Sequence, residues 1–298
     1  MTIDKTIVII GPTASGKTSL SIKLAEKHGG EIISADSRAI YKYMDIGTAK
    51  PTIEEQNRVK HWGIDLVDPD VKFTVHDFQQ YALDKIYNIK SRGKIPFLVG
   101  GSGLYIDSVV YDYEFNSTNS QFDRKKLADK SVSELQQLCT EQGIELPENS
   151  QNKRYLIRAL ETNGVVKNNR TQINPEFIII GIATDKEILK NRIVERAHEM
   201  FAGNIVKETT FLAERYDWNS EPMKSNIYRV VKKHISGETT LEQAIDEFIQ
   251  LDLRLAKRQI TWFKRNPQIT WLNLDDAYRH IDSLLSEQIS DTIPIHHE

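Results

Sequence analysis

The octapeptide GPTASGKT, Gly11 to Thr18, fits the spacing G-x-x-x-x-G-K-[ST]. A glycine-containing loop with that spacing turns successive backbone N–H groups toward one point, where they cradle a polyphosphate at the start of a helix. The ammonium of Lys17 neutralises charge on the phosphate, and the Thr18 hydroxyl is a candidate ligand for Mg²⁺ or for a phosphate oxygen. Gly11, Pro12, Thr13, Ala14, Ser15, Gly16, Lys17 and Thr18 are therefore the candidate anion-binding residues. The loop alone does not name a reaction, because phosphohydrolases, small-molecule kinases and transferases all hold phosphate this way.

Such a loop works only between a buried strand and a helix, and its flanks read so. Thr6 to Ile10 is an apolar, β-branched run that predicts a buried strand, and Gly16 to His28 predicts a helix. Short apolar runs at Glu31 to Ser34, Ile95 to Val99 and Phe177 to Ala183 alternate with helical stretches such as Val75 to Ser91, as a parallel sheet with crossover helices requires. Asp112 to Pro175 carries no β pattern, but Val132 to Gln142 and Lys153 to Thr162 have helical spacing, so this stretch reads as a helical insert. Further helices are expected over Asp185 to Phe201, Asn204 to Arg215 and Thr240 to Arg265, with a last strand at Ile269 to Leu272. The expected architecture is α/β, a parallel sheet flanked by helices and resembling the P-loop nucleotide hydrolases, with a smaller all-helical insertion domain. Residues 1–112 and 177–298 form the core, and residues 113–176 the insertion.

Composition narrows the setting. The chain has 298 residues, 39% hydrophobic and 27% charged, which places it among ordinary globular proteins. A net charge of −3 supplies no global attraction to nucleic acid, so any such contact must come from local clusters of Lys and Arg. The single cysteine, Cys139, excludes an intramolecular disulfide, and its spacing with Leu135 and Leu138 predicts packing rather than chemistry. With no cationic-then-apolar leader and no apolar run of about 18 residues, the cytoplasm is the expected compartment. The histidines show no metal-ligand spacing; His61 and Trp62 are expected to pack, and His296 and His297 to belong to a tail.

Beyond the phosphate loop, DSRAIY (Asp36 to Tyr41), DIGTAKP (Asp45 to Pro51), RGKIPFLVGGSGLY (Arg92 to Tyr105), IRALE (Ile157 to Glu161) and LAKRQITWF (Leu255 to Phe263) follow in an order that resembles the tRNA dimethylallyltransferases. The resemblance spans Ile7 to Leu272. It implies transfer of a five-carbon prenyl group from dimethylallyl diphosphate to the exocyclic amine of an adenosine beside the anticodon of tRNA, with Mg²⁺ as cofactor. It also implies a monomer, with no membrane partner. Residue by residue, Asp36 matches the family's catalytic aspartate, Arg196 an arginine that clamps the diphosphate, and Thr18 the residue that binds metal and phosphate. The tRNA-facing set carried over is Asp36, Ser37, Arg38, Ala39, Ser102, Arg154, Arg158, Tyr228, Arg229, Lys257 and Arg258.

Residue chemistry agrees with that reading. The adenine amine is a weak nucleophile, because its lone pair is delocalised into the ring, and a carboxylate placed against it assists as the carbon–nitrogen bond forms. Departing diphosphate gathers negative charge, which cations and N–H donors stabilise. The basic stretch Lys257, Arg258, Lys264 and Arg265, interleaved with Trp262 and Phe263, suits an RNA surface. Departures from the family pattern fall mostly on that side: Ala39 in place of Gln, Ser102 in place of Thr, Tyr155 in place of Arg, Ile227 in place of Gly and Leu253 in place of Arg. Three alternatives remain open at this point: a prenyltransferase acting on free adenine nucleotides, a small-molecule kinase, and an RNA-binding relative without turnover.

Overall fold

The computed structural model describes residues 5–115, 122–164 and 172–290. The elements run β1 (Thr6–Ile10), α1 (Lys17–His28), β2 (Glu31–Ser34), α2 (Ile53–Arg58), β3 (His61–Trp62), α3 (Val75–Ser91), β4 (Pro96–Gly100) and α4 (Gly103–Val110). Then come α5 (Arg124–Asp129), α6 (Val132–Glu141), α7 (Lys153–Glu161), β5 (Phe177–Ile182), α8 (Lys186–Ala202), α9 (Ile205–Ala213), a 3₁₀ turn at Pro222–Lys224, α10 (Asn226–Ile235), α11 (Leu241–Phe263), β6 (Thr270–Leu272) and α12 (Leu274–Ser290). Two compact units result: Met1–Val110 with Asn174–Glu298, and Tyr111–Ile173.

Among the described residues of the larger unit, six strands form a parallel sheet in the order β3-β2-β4-β1-β5-β6. All five residues of β1 are buried, as expected of a central strand covered on both faces. Alternation along the strands sends Ile7, Ile9, Ile32, Phe97, Val99, Ile180 and Ile182 to one face, where they meet Leu20, Leu24 and Ala25 of α1 and Ala277, Ile281 and Leu285 of α12. Helices α3 and α4 also pack on the sheet, at β2 and β4. Residues after β1, β2 and β4 all emerge at the carboxyl edge, where open α/β sheets bind ligands.

The opposite edge is closed by a buried carboxylate. Glu31, 3% exposed, accepts two bonds from Arg92 (2.6 and 2.7 Å), one from Lys94 (2.7 Å) and one from the Trp62 indole (2.8 Å). The Arg92 hydrogen bond above all, then Lys94 and Trp62, draws its pKa down to about 2 against the cost of burial. The RGK part of RGKIPFLVGGSGLY, and Trp62 with it, therefore serve the scaffold.

The smaller unit is helical in its described residues. Leu127, Leu135, Cys139, Ile144, Leu156, Ile157 and Leu160 form its core, and burial raises the Cys139 thiol pKa, as suits a packing residue. The two-residue strand at His61–Trp62 and the helices α2, α4, α5, α10 and α12 were not anticipated. His296 and His297 lie outside the described residues.

Phe97 is 0% exposed at the centre of the sheet, whereas Tyr87, on the outer face of α3, is 77% exposed. Phe97→Ala is expected to cost about 3–5 kcal/mol and Tyr87→Ala less than about 0.5 kcal/mol, read as the shift in denaturant midpoint at unchanged slope.

Candidate active site

The strand β1 ends at a loop whose shape demands glycine at one position in particular. Gly16 sits at φ 87°, immediately before α1, and a Cβ there would lie 2.8 Å from Leu274 Cδ1. That conformation turns the loop into the N-terminus of α1, at the border of a cleft of about 1260 Å³. Thr13, Ala14, Ser15, Gly16, Lys17 and Thr18 line this cleft, and so do Asp36, Ala39, Arg192 and Arg196. Gly11 and Pro12 do not. They are buried behind the loop, where the Pro12 carbonyl accepts a bond from Lys17 Nζ at 3.0 Å.

Burial lowers the Lys17 pKa to about 8, with the Asp36 charge opposing and Arg196 reinforcing the shift. The three side chains therefore share one electrostatic environment. Arg196 is held by Asp252, which is 4% exposed and whose own pKa burial raises. The Nε atom of Arg196 and Nη1 of Arg192 are buried without a protein partner, although both residues line the cleft. The face of α8 carrying these two arginines is thus the wall of the site rather than a solvated surface.

Asp36 is placed by a local turn and by a neighbouring loop. Its Oδ1 accepts the Arg38 N–H at 2.8 Å, while the Ser102 hydroxyl accepts the Ser37 N–H at 2.9 Å. The Ser102 hydroxyl thus ties the loop after β4 to the Asp36 loop. Close approach of the two loops requires Gly100, where a Cβ would stand 2.1 Å from the Ala35 carbonyl oxygen. Arg38 reaches the Glu221 carbonyl at 2.8 Å.

The remaining sequence-predicted residues fall elsewhere. Lys257 and Arg258 on α11 and Arg229 on α10 are exposed, as a polyanion surface requires. Arg154 and Arg158 are exposed on α7 of the smaller unit, where Arg158 pairs with Glu161 at 3.6 Å. Tyr228 is a correction: it is 0% exposed, so it presents no face to RNA. Its hydroxyl instead donates to Glu208 at 2.8 Å. Glu208 also accepts the N–H groups of Asp45 (2.9 Å), Ile46 (2.7 Å) and Gly47 (2.9 Å), so one carboxylate shapes the DIGTAKP loop. Thr48, Ala49, Lys50 and Pro51 of that loop line the cleft. Ala39 is 3% exposed yet reaches the cleft, Ile227 is a 2% exposed core residue, and Tyr155 is 48% exposed.

Sequence reasoning missed Glu208, Arg192 as a cleft residue, and Gln259. The Gln259 amide accepts the Thr13 N–H at 2.8 Å and donates to the Gly101 carbonyl at 3.0 Å. The available signal was a polar side chain between Ala256 and Phe263 on the inward face of a helix.

A Mg²⁺ ion in this cleft would depend on the ligand rather than on the protein for most of its coordination. Among the described residues there is no cluster of three or more His, Cys, Asp or Glu side chains able to hold a metal, and Thr18 brings one hydroxyl. A hard cation that keeps its waters and takes most other ligands from phosphate needs little more.

Lys17 is cationic below about 8 and neutral above it, so its attraction for an anion is lost as pH rises through that value. The ratio of pyrophosphate affinities, wild type over Lys17→Met, is expected to fall about tenfold between pH 7 and pH 9 by calorimetry. The ratio cancels the titration of pyrophosphate itself; a constant ratio would contradict the assignment.

Comparison with known proteins agrees with this geometry. A family model described as IPP transferase matches residues 39–266. The tRNA dimethylallyltransferase of Acetivibrio thermocellus is 39% identical, over 92% of this chain and 93% of its own length. That of Oceanobacillus iheyensis is 36% identical, over 91% of each. The solved full-length tRNA isopentenylpyrophosphate transferase of Bacillus halodurans superposes with a TM-score of 0.74 at 33% identity, covering 97% of both chains. With a phosphate loop, a carboxylate and two arginines meeting at one sheet edge, and with relatives of this similarity over nearly its whole length, the chain belongs to the IPP transferase family.

Proposed function

We propose that the protein transfers the dimethylallyl group of dimethylallyl diphosphate to the exocyclic amine of an adenosine adjacent to the anticodon of tRNA, releasing diphosphate. The observation that carries this reading is that Lys17 and Asp36 line one cleft and that the charge of Asp36 bears directly on Lys17. An anion-gripping loop and a carboxylate suited to an amine thus face the same volume. Relatives bearing the name tRNA dimethylallyltransferase support it.

The diphosphate binds at the N-terminus of α1, on the N–H groups of Ala14, Gly16, Lys17 and Thr18 and on the Lys17 ammonium, the Thr13 N–H being held by Gln259. Arg192 and Arg196 bring unpartnered guanidinium nitrogens to the same wall. As the bond between the prenyl C1 and its oxygen breaks, these donors receive the charge that develops on the leaving group. The adenine amine forms the new bond to C1, and Asp36 takes the proton that the amine gives up. Mg²⁺, held by the Thr18 hydroxyl and by diphosphate oxygens, would supply further charge neutralisation.

An adenine must leave its stack to reach a cleft of this kind, and loop bases are cheaper to extrude than paired ones. Ser37, Arg38 and Ser102 adjoin Asp36, while Arg229, Lys257 and Arg258 offer exposed positive charge for the RNA backbone. Arg154 and Arg158 add cations from the smaller unit, which in this reading also contacts the tRNA. The protein acts as a monomer. Among the described residues no helix is long and apolar enough to cross a membrane.

Incubation with dimethylallyl diphosphate, Mg²⁺ and unmodified tRNA should add a prenyl-sized mass to adenosine in the digested nucleosides. Asp36→Ala is expected to lower that transfer by at least about 10²-fold, the lower range for losing a general base, and to leave tRNA affinity within twofold. Substantial turnover in the variant would remove Asp36 from the base role. Faster transfer to free AMP than to an anticodon stem-loop would reassign the acceptor, and phosphate appearing on an acceptor would reassign the reaction.

A further inference from the structure

Two loops must keep a fixed spacing if the donor and acceptor halves of the site are to meet: the phosphate loop after β1, and the loop after β4. These loops already touch, since a Cβ on Gly101 would stand 3.3 Å from the Gly11 carbonyl oxygen. One side chain is bonded to both. Gln259 of α11 accepts the Thr13 N–H at 2.8 Å through Oε1 and donates through Nε2 to the Gly101 carbonyl at 3.0 Å. Its fit is close, because a Cβ on Gly101 would fall 2.4 Å from Nε2.

The linkage continues beyond Gly101. Ser102 accepts the Ser37 N–H at 2.9 Å, its own N–H donates to the Ala35 carbonyl at 3.3 Å, and Asp36 lies between Ala35 and Ser37. A short chain of hydrogen bonds therefore runs from the phosphate loop through Gln259 to the residues on either side of the carboxylate. The helix itself is anchored one turn on, where the Trp262 indole donates to Asp107 at 3.0 Å and stands 2.2 Å from the position of a Cβ on Gly103. Thus α11 is pressed against the glycine loop at two successive points, and only Gln259 among them reaches across to the phosphate loop.

We infer that Gln259 is a positioning residue that sets the distance between the diphosphate-gripping loop and the Asp36 loop. Its amide suits that role because it carries an acceptor and a donor on one planar group, and the two loops offer one N–H and one C=O. No carboxylate or hydrocarbon of equal length satisfies both. Because Gln259 touches neither reacting atom in this arrangement, its loss acts through geometry: a misplacement of about 1 Å in the site costs of the order of 10²-fold in rate. Lys257 and Arg258 precede it on the exposed side of the same helix, so RNA affinity and loop spacing are separable properties of α11.

The inference rests on the prenyl-transfer reading of the cleft, and the test separates the two. Wild type, Gln259→Ala and Gln259→Glu are compared for kcat, for KM of dimethylallyl diphosphate, for tRNA affinity, and for the amide proton shift of Thr13 in labelled protein. Gln259→Ala is expected to lower kcat about 10- to 100-fold and to raise the donor KM, with tRNA affinity within twofold and Tm within a few degrees. Its Thr13 amide shift should move upfield on loss of the bond. Gln259→Glu keeps the acceptor for Thr13, so its Thr13 shift should remain near wild type, while kcat still falls because the bond to Gly101 is gone. Wild-type kinetics in both variants, or equal losses in kcat, tRNA affinity and Tm, would overturn the positioning role. Absence of prenyl transfer by the wild type would instead remove the reading of the cleft.

Discussion

Lys17 keeps its ammonium inside the cleft against a desolvation cost that draws its pKa to about 8, while the Asp36 carboxylate nearby offsets part of that cost. Both groups need the same thing from the fold: a carboxyl edge at which β1 and β2 deliver their loops to one side. The sheet order places β4 between those strands, so the loop after β4 becomes the spacer between them. Glycines at positions 100 and 101 let that spacer approach the Asp36 loop and the phosphate loop closely. An anion at the helix end would resolve the electrostatic imbalance, because it would supply the negative charge that a buried ammonium and two arginines with unpartnered nitrogens lack.

The scaffold keeps its own charge chemistry apart from this. Glu31 with Arg92, Lys94 and Trp62 sits at the amino end of β2, where a depressed carboxylate pKa is bound up with stability. Its contribution is complete above about 4.5 and is lost as pH falls toward about 2. The sign for Lys17 is the reverse in kind: the folded state disfavours the cation, so its cost is present below about 8 and is relieved as pH rises toward 10.5. In the proposed reaction donor binding needs that cation, so it and fold stability would pull in opposite directions at this residue.

Much of the architecture was legible because local pattern encodes it. The phosphate loop lies between an apolar run and a helix, and three further strands, β2, β4 and β5, follow the same short buried pattern. The helical insert showed itself through Leu135, Leu156 and Leu160 at helical spacing. By contrast β3 has two residues, too few for any period, and α10 carries its apolar residues Ile227, Tyr228, Val230 and Val231 among cations that drew a surface reading. The helix α12 places Ala277, Ile281 and Leu285 four residues apart, a signal present but weak beside its many charges. Site residues divided in the same way. Lys17, Asp36 and Arg196 stand in motifs, whereas Glu208 meets its loop from about 160 residues away and Gln259 meets Thr13 from 246 away. Contacts of that separation leave no trace in spacing.

A crystal structure with an unreactive prenyl diphosphate analogue and an anticodon stem-loop tests the shared cleft most directly. The account predicts diphosphate oxygens on the N–H groups of Ala14, Gly16, Lys17 and Thr18 and on the Lys17 ammonium, with the amine of an unstacked adenine facing the Asp36 carboxylate across the same volume. Diphosphate and adenine in separate cavities, or an adenine amine turned away from Asp36, would contradict it.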